Sequence, residues 1–85
     1  MIVIEQILLE DSNSPRKAFY RLSIYEKEEG GYLIEKSSGA GGSVLDRRRW
    51  EKQTREEADR MFRSIIREKT NPARKSPRRY RIVQQ

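Results

Sequence analysis

The 85-residue chain contains no cysteine and no histidine. The missing cysteines exclude disulfide frameworks and thiolate nucleophiles. The missing histidines exclude acid–base schemes that run through imidazole, and the two absences together exclude Cys/His zinc sites. Long apolar runs are missing too. No window approaches the roughly 20 residues of a membrane-spanning helix. The opening residues, MIVIEQILLEDS, carry Glu5 and Glu10 within their apolar stretch and have no basic leader, which is not the pattern of a secretory signal. The expectation is a soluble, cytoplasmic chain that does not enter a membrane.

Chemistry-bearing pairs are equally scarce. Ser12, Ser14, Ser37, Ser38, Ser43 and Ser76 have no imidazole to activate them. Glu26, Glu28 and Glu29 cluster beside Lys27 as a solvated turn, and Asp46 stands alone. No carboxylate pair is placed at catalytic distance. The expectation is therefore a protein that is not an enzyme and that uses no cofactor and no metal.

Charge is abundant. Nineteen Lys and Arg face 13 Asp and Glu, a net charge of +6, with 38% of residues charged and 34% hydrophobic. So polar a chain of this length has room for one domain with a thin core, here placed at residues 2–71, followed by a basic C-terminal segment, 72–85. The charge balance favours phosphate backbones, anionic membrane surfaces or acidic proteins as partners; the plain alternative is that it serves solubility alone.

The apolar residues are clustered. Ile2 to Leu9 reads as a strand apolar on both faces, with Ile2, Ile4 and Leu8 on one and Val3, Ile7 and Leu9 on the other. Such a strand is covered on both sides or forms part of an interface. Asp11 to Pro15 has the composition of a loop. Ala18 to Glu26 alternates Tyr20, Leu22 and Ile24 with Arg21, Ser23 and Tyr25, so one face is buried. Glu29-Gly30-Gly31 turns the chain into a third strand, Tyr32 to Lys36, completing a hairpin. Ser37 to Ser43 reads as a flexible glycine-rich loop, and Val44 to Lys52 as a fourth strand carrying Arg47-Arg48-Arg49 ahead of Trp50.

Thr54 opens the one helix. Thr54-x-x-Glu57 is a capping box, in which the hydroxyl accepts the third helical amide and the carboxylate reaches back to the cap. Glu56 and Glu57 suit the positive end of the helix dipole. Ala58, Met61, Phe62, Ile65 and Ile66 form one apolar face, and Asn71-Pro72 ends the helix. Arg79 to Val83 completes the pattern as a short strand. The order β-β-β-β-α-β predicts an α+β fold: a small antiparallel sheet of four to five strands with one amphipathic helix packed on it.

Several spaced segments resemble the WGR domain, a family named for a Trp-Gly-Arg motif. Ala18-Phe19-Tyr20-Arg21-Leu22 is similar to the family's K-F-Y-x-L strand, and Gly31-Tyr32-Leu33-Ile34 to the strand that leads into the name motif. Arg49-Trp50 matches its basic-aromatic pair before the helix. Glu57-Ala58, Phe62 and Arg67-Glu68-Lys69-Thr70 match the helix itself. The resemblance runs from about Leu8 to Asn71. It implies an antiparallel sheet against a helix, and DNA as a partner, since the best known members sit in DNA-dependent poly(ADP-ribose) polymerases. The name motif is altered. Gly39 and Gly42 are kept, Ser38 stands at the Trp position and Ala40 at the Arg position. Those two side chains stack on a strand end and support a phosphate contact in DNA-binding members, so the resemblance implies the fold here and not that mode of end recognition. It also makes Trp50 a core aromatic.

The candidate nucleic-acid-binding residues are Lys36, Arg47, Arg48, Arg49 and Lys52 along two strands, and Arg74, Lys75, Arg78 and Arg79 after the helix. Arginine forks match phosphate oxygens and displace counterions; the competing reading is a solvated strand whose arginines blunt a sheet edge. Strand alternation puts Arg47 and Arg49 on one face, and Arg48 with Trp50 and Lys52 on the other. Lys36 precedes its glycines, whereas a phosphate-binding P-loop has GK[ST] after them, so the loop is expected to be a turn with at most weak anion affinity through its amides. Two functions follow. One is salt-dependent nucleic-acid binding, DNA before RNA. The other is a protein-interaction or homodimerisation module that pairs through Ile2 to Leu9. Membrane binding is the poorer reading, because so small a core needs the apolar helix face.

Overall fold

The computed structural model describes residues 1–11, 13–71, 73 and 79–84, without the side chain of Gln84. The elements are β1 (Ile2–Glu10), β2 (Phe19–Glu26), β3 (Tyr32–Ala40), β4 (Ser43–Lys52), α1 (Arg55–Thr70) and β5 (Arg81–Gln84). The strands form one antiparallel sheet in the order β4-β3-β2-β1-β5. The expected α+β class, with one helix against a small antiparallel sheet, is the architecture observed.

Alternation on β2 sets the layers. Tyr20, Leu22 and Ile24 are buried toward the helix, where Ile7 and Leu9 of β1 and Ile34 of β3 join them. α1 supplies Ala58, Phe62 and Ile66, spaced four apart and therefore on one face. Met61, Ile65 and Trp50 pack at the margin of this cluster, which gives Trp50 the expected place beside the core. Leu9, Leu22, Ile24, Ile34 and Phe62 are the largest fully buried side chains; each contributes about 1.5–3 kcal/mol of apolar burial.

The helix begins at its expected cap. The Thr54 hydroxyl accepts from the Glu57 amide at 3.2 Å and donates to Glu57 Oε1 at 3.1 Å. The Glu57 carboxylate thus takes the cap's hydroxyl rather than its backbone amide.

Two irregularities revise the strand patterns. A bulge between Val3 and Glu5 breaks the alternation of β1. Ile4 therefore packs against the core with Ile7 and Leu9, not on the face of Leu8. The glycine-rich segment is not an extended loop. Ser37 to Ala40 continue β3, paired with β2 and β4, and only Gly41 and Gly42 form the turn, with φ of 60° and 80°. Two successive positive φ values are what a two-residue type I′ hairpin turn requires, and glycine adopts them without a Cβ penalty.

One end of the molecule is tied together by Asp11. Its buried carboxylate accepts from the Asn13 amide at 3.0 Å and the Arg79 amide at 3.3 Å, and its own amide donates to the Ala18 carbonyl at 3.0 Å. The Gly41 amide donates to the Arg16 carbonyl, so the β1–β2 loop docks on the β3–β4 turn. Among the described residues, no helix is long and apolar enough to cross a membrane.

Candidate nucleic-acid interface

The sheet has one face under α1 and one face open. Its β4 edge is hydrogen-bonded to β3 on one side only. Ser43 through Arg49 are all exposed, so the Arg47-Arg48-Arg49 run stands on an edge rather than within the sheet.

Register sorts the cations by face. On the helix side, Lys36 lies opposite Arg48, and Ser38 opposite Asp46. Lys36 donates to the Asp46 carboxylate, which holds that carboxyl below the usual carboxylate range, mainly through the hydrogen bond. The Lys36 ammonium also lies 5.5 Å from the Tyr20 ring centroid. Arg48 lies 5.6 Å from the Trp50 ring. Burial, then the nearby Glu68 carboxylate, pushes the Tyr20 phenol up to about 12, and the Tyr80 ring meets Tyr20 edge-on at 6.0 Å.

On the open face, cross-strand pairing builds two adjacent rows. Leu8, Arg21, Ser37 and Arg47 form one, and Gln6, Ser23, Glu35 and Arg49 the next. The second row satisfies itself. Gln6 donates to Ser23 Oγ at 3.1 Å, and Arg49 donates to Glu35 at 2.7 Å. The first row leaves both arginines without an ion pair among the described residues. Two strand spacings separate them, about 10 Å.

The candidate residues therefore divide into three groups. Arg47, Arg48 and Lys52 carry no ion pair among the described residues. Lys36 and Arg49 are neutralised by acidic partners one strand away. Arg79 is tethered through its backbone to Asp11; Arg74, Lys75 and Arg78 lie outside the described residues. The structure adds Arg21, which sequence reasoning assigned to a polar strand face but did not join to the basic run. The joining signal was the cross-strand register, which two short turns set.

Beside the first row lies a concavity of about 350 Å³, lined by Leu8, Glu10, Lys17, Phe19, Arg21, Gly42 and Val44. Gly39 of β3 is paired with two of these positions, Phe19 and Val44. A Cβ at Gly39 would overlap the Ser43 carbonyl, next to the register shift between Ser38 and Gly39. Of the altered name-motif positions, Ser38, Gly39 and Ala40 thus belong to β3, and Gly42 to the turn.

Among the described residues, no group of three or more acidic side chains is arranged to hold a metal ion. No protein-family model, curated protein or solved structure matches the chain.

Proposed function

We propose that the chain is a non-catalytic module that binds nucleic acid, DNA before RNA, through phosphate contacts at β4 and the adjoining open face. One observation carries this reading: Arg47, Arg48 and Lys52 stay outside any ion pair among the described residues, although acidic partners neutralise Lys36 and Arg49 on the same two strands. The resemblance to WGR domains favours DNA. Contacts to phosphate carry no base information, so binding is weak and indifferent to sequence.

Anisotropy of a labelled duplex tests the reading. Binding is expected at low salt, weakening to a dissociation constant of about 10⁻⁴–10⁻⁶ M at physiological salt. Three phosphate contacts give a slope of log K against log salt of roughly −3. Absence of binding at low salt, or tight binding that persists at high salt, overturns it.

A second reading, assembly with a partner or a second copy, rests on the other edge. β5 pairs only with Leu8 to Glu10 of β1, and Ile2 and Val3 beyond it are 66% and 51% exposed. Sedimentation across a concentration range tests it; a strict monomer that Val3→Lys leaves unchanged counts against self-assembly.

A further inference from the structure

The phosphate-binding reading concerns the edge strand; the concavity next to it calls for a different kind of contact. We infer that the open-face hollow at Phe19 holds one unpaired nucleobase of a single-stranded nucleic acid, an inference that rests on the nucleic-acid reading above. Three observations converge there. Phe19 is half-buried and lines, with Leu8 and Val44, a hollow of about 350 Å³. Lys17 and Arg21 stand on the same rim, and Arg47 continues the row of Arg21. Lys17 holds a φ of 55°, a left-handed conformation that is uncommon for a residue with a side chain and that concentrates at ligand sites.

An aromatic floor flanked by cations is how proteins hold single strands: the base stacks on the ring and the phosphates follow the basic track. A duplex cannot use the hollow without extruding a base. The hollow also contains Glu10, which has no ion pair among the described residues. A carboxylate accepts from an exocyclic amine, as cytosine presents, and repels the carbonyl that thymine has at the same place. The hollow therefore prefers cytosine to thymine.

The test compares labelled oligo(dC), oligo(dT) and a blunt duplex at low salt, on the full chain and on Phe19→Ala, Phe19→Leu and Glu10→Gln. Phe19→Ala is expected to weaken oligo(dC) binding by roughly 5- to 150-fold and to leave duplex binding unchanged. Phe19→Leu keeps apolar volume without a ring, guards against loss of fold, and is expected to show a comparable loss. Oligo(dC) should bind about 5-fold more tightly than oligo(dT), a preference that Glu10→Gln removes. In the wild-type chain, the Phe19 ring resonances should move upfield with oligo(dC) and stay in place with duplex.

Unmoved ring resonances, or oligo(dC) affinity that both Phe19 variants keep at the wild-type value, overturn the base site while leaving the phosphate reading intact. Equal affinity for the two oligonucleotides overturns the part given to Glu10. Failure to bind any of the three ligands overturns both readings.

Discussion

The two faces of one sheet follow opposite rules. Under α1, Leu9, Leu22, Ile24 and Ile34 meet Phe62 and are sealed from water. On the other side, the same strands present Leu8, Phe19, Arg21, Arg47 and Arg49, none of them fully buried. An antiparallel sheet needs only one packed face to be stable. A thin core whose main cluster lies on the helix side leaves much of the open side's composition unconstrained by folding, although Ser23 and Leu33 are buried there too. That freedom lets unpaired cations gather beside a half-buried ring without a large cost in stability.

Substitutions on the two faces should separate cleanly. Phe62→Ala is expected to cost about 3–5 kcal/mol, a large part of the stability of a small domain, read as a lowered urea midpoint. Gly39→Ala on β3 is expected to cost about 3 kcal/mol, because the added Cβ meets backbone at Ser43 and Leu45 rather than a movable side chain. A value near zero would mean that the β3–β4 hairpin can flatten its bulge, and would weaken the contrast between faces.

The helix side should also respond to alkaline pH. The folded state holds the Tyr20 phenol up to about 12, against an ordinary value of 10.0. A raised pKa favours the neutral form, so this contribution is complete below pH 10 and is lost as pH rises from there toward about 12. The loss is at most roughly 3 kcal/mol, and smaller after solvent screening. Urea midpoints of wild type and Tyr20→Phe should diverge across that window, with the variant flatter. The smallest effect on stability belongs to Arg47→Ala and Arg48→Ala, each expected within about 0.5 kcal/mol of wild type. Each should nevertheless reduce the magnitude of the salt slope of DNA binding by about 1. A large stability loss with an unchanged slope would reverse the assignment of β4 to binding.

Local chemistry was legible before any coordinates. The Thr54 cap, the four-residue spacing of Ala58, Phe62 and Ile66, and the alternation of Tyr20, Leu22 and Ile24 depend on near neighbours in the chain. Each appears in the fold where its pattern places it. The alternation of Arg47 and Arg49 against Arg48 and Lys52 was legible for the same reason. The glycine-rich segment was misread as a loop because small residues describe a turn and a strand without bulky neighbours equally well. Only pairing to β2 and β4 decides between them.

The chain by itself determined one helix, its buried face, the β2–β3 hairpin and a basic run ahead of Trp50, because caps, periodicity and turns act over a few residues. Tertiary structure alone decided that Ile4 shares a side with Ile7, that Lys36 and Arg49 are ion-paired with Asp46 and Glu35, and that Arg21 lines up with Arg47 beside Phe19. Those outcomes depend on bulges and cross-strand register, which join residues far apart in the chain, and register is settled by turn geometry together with which face packs against the helix.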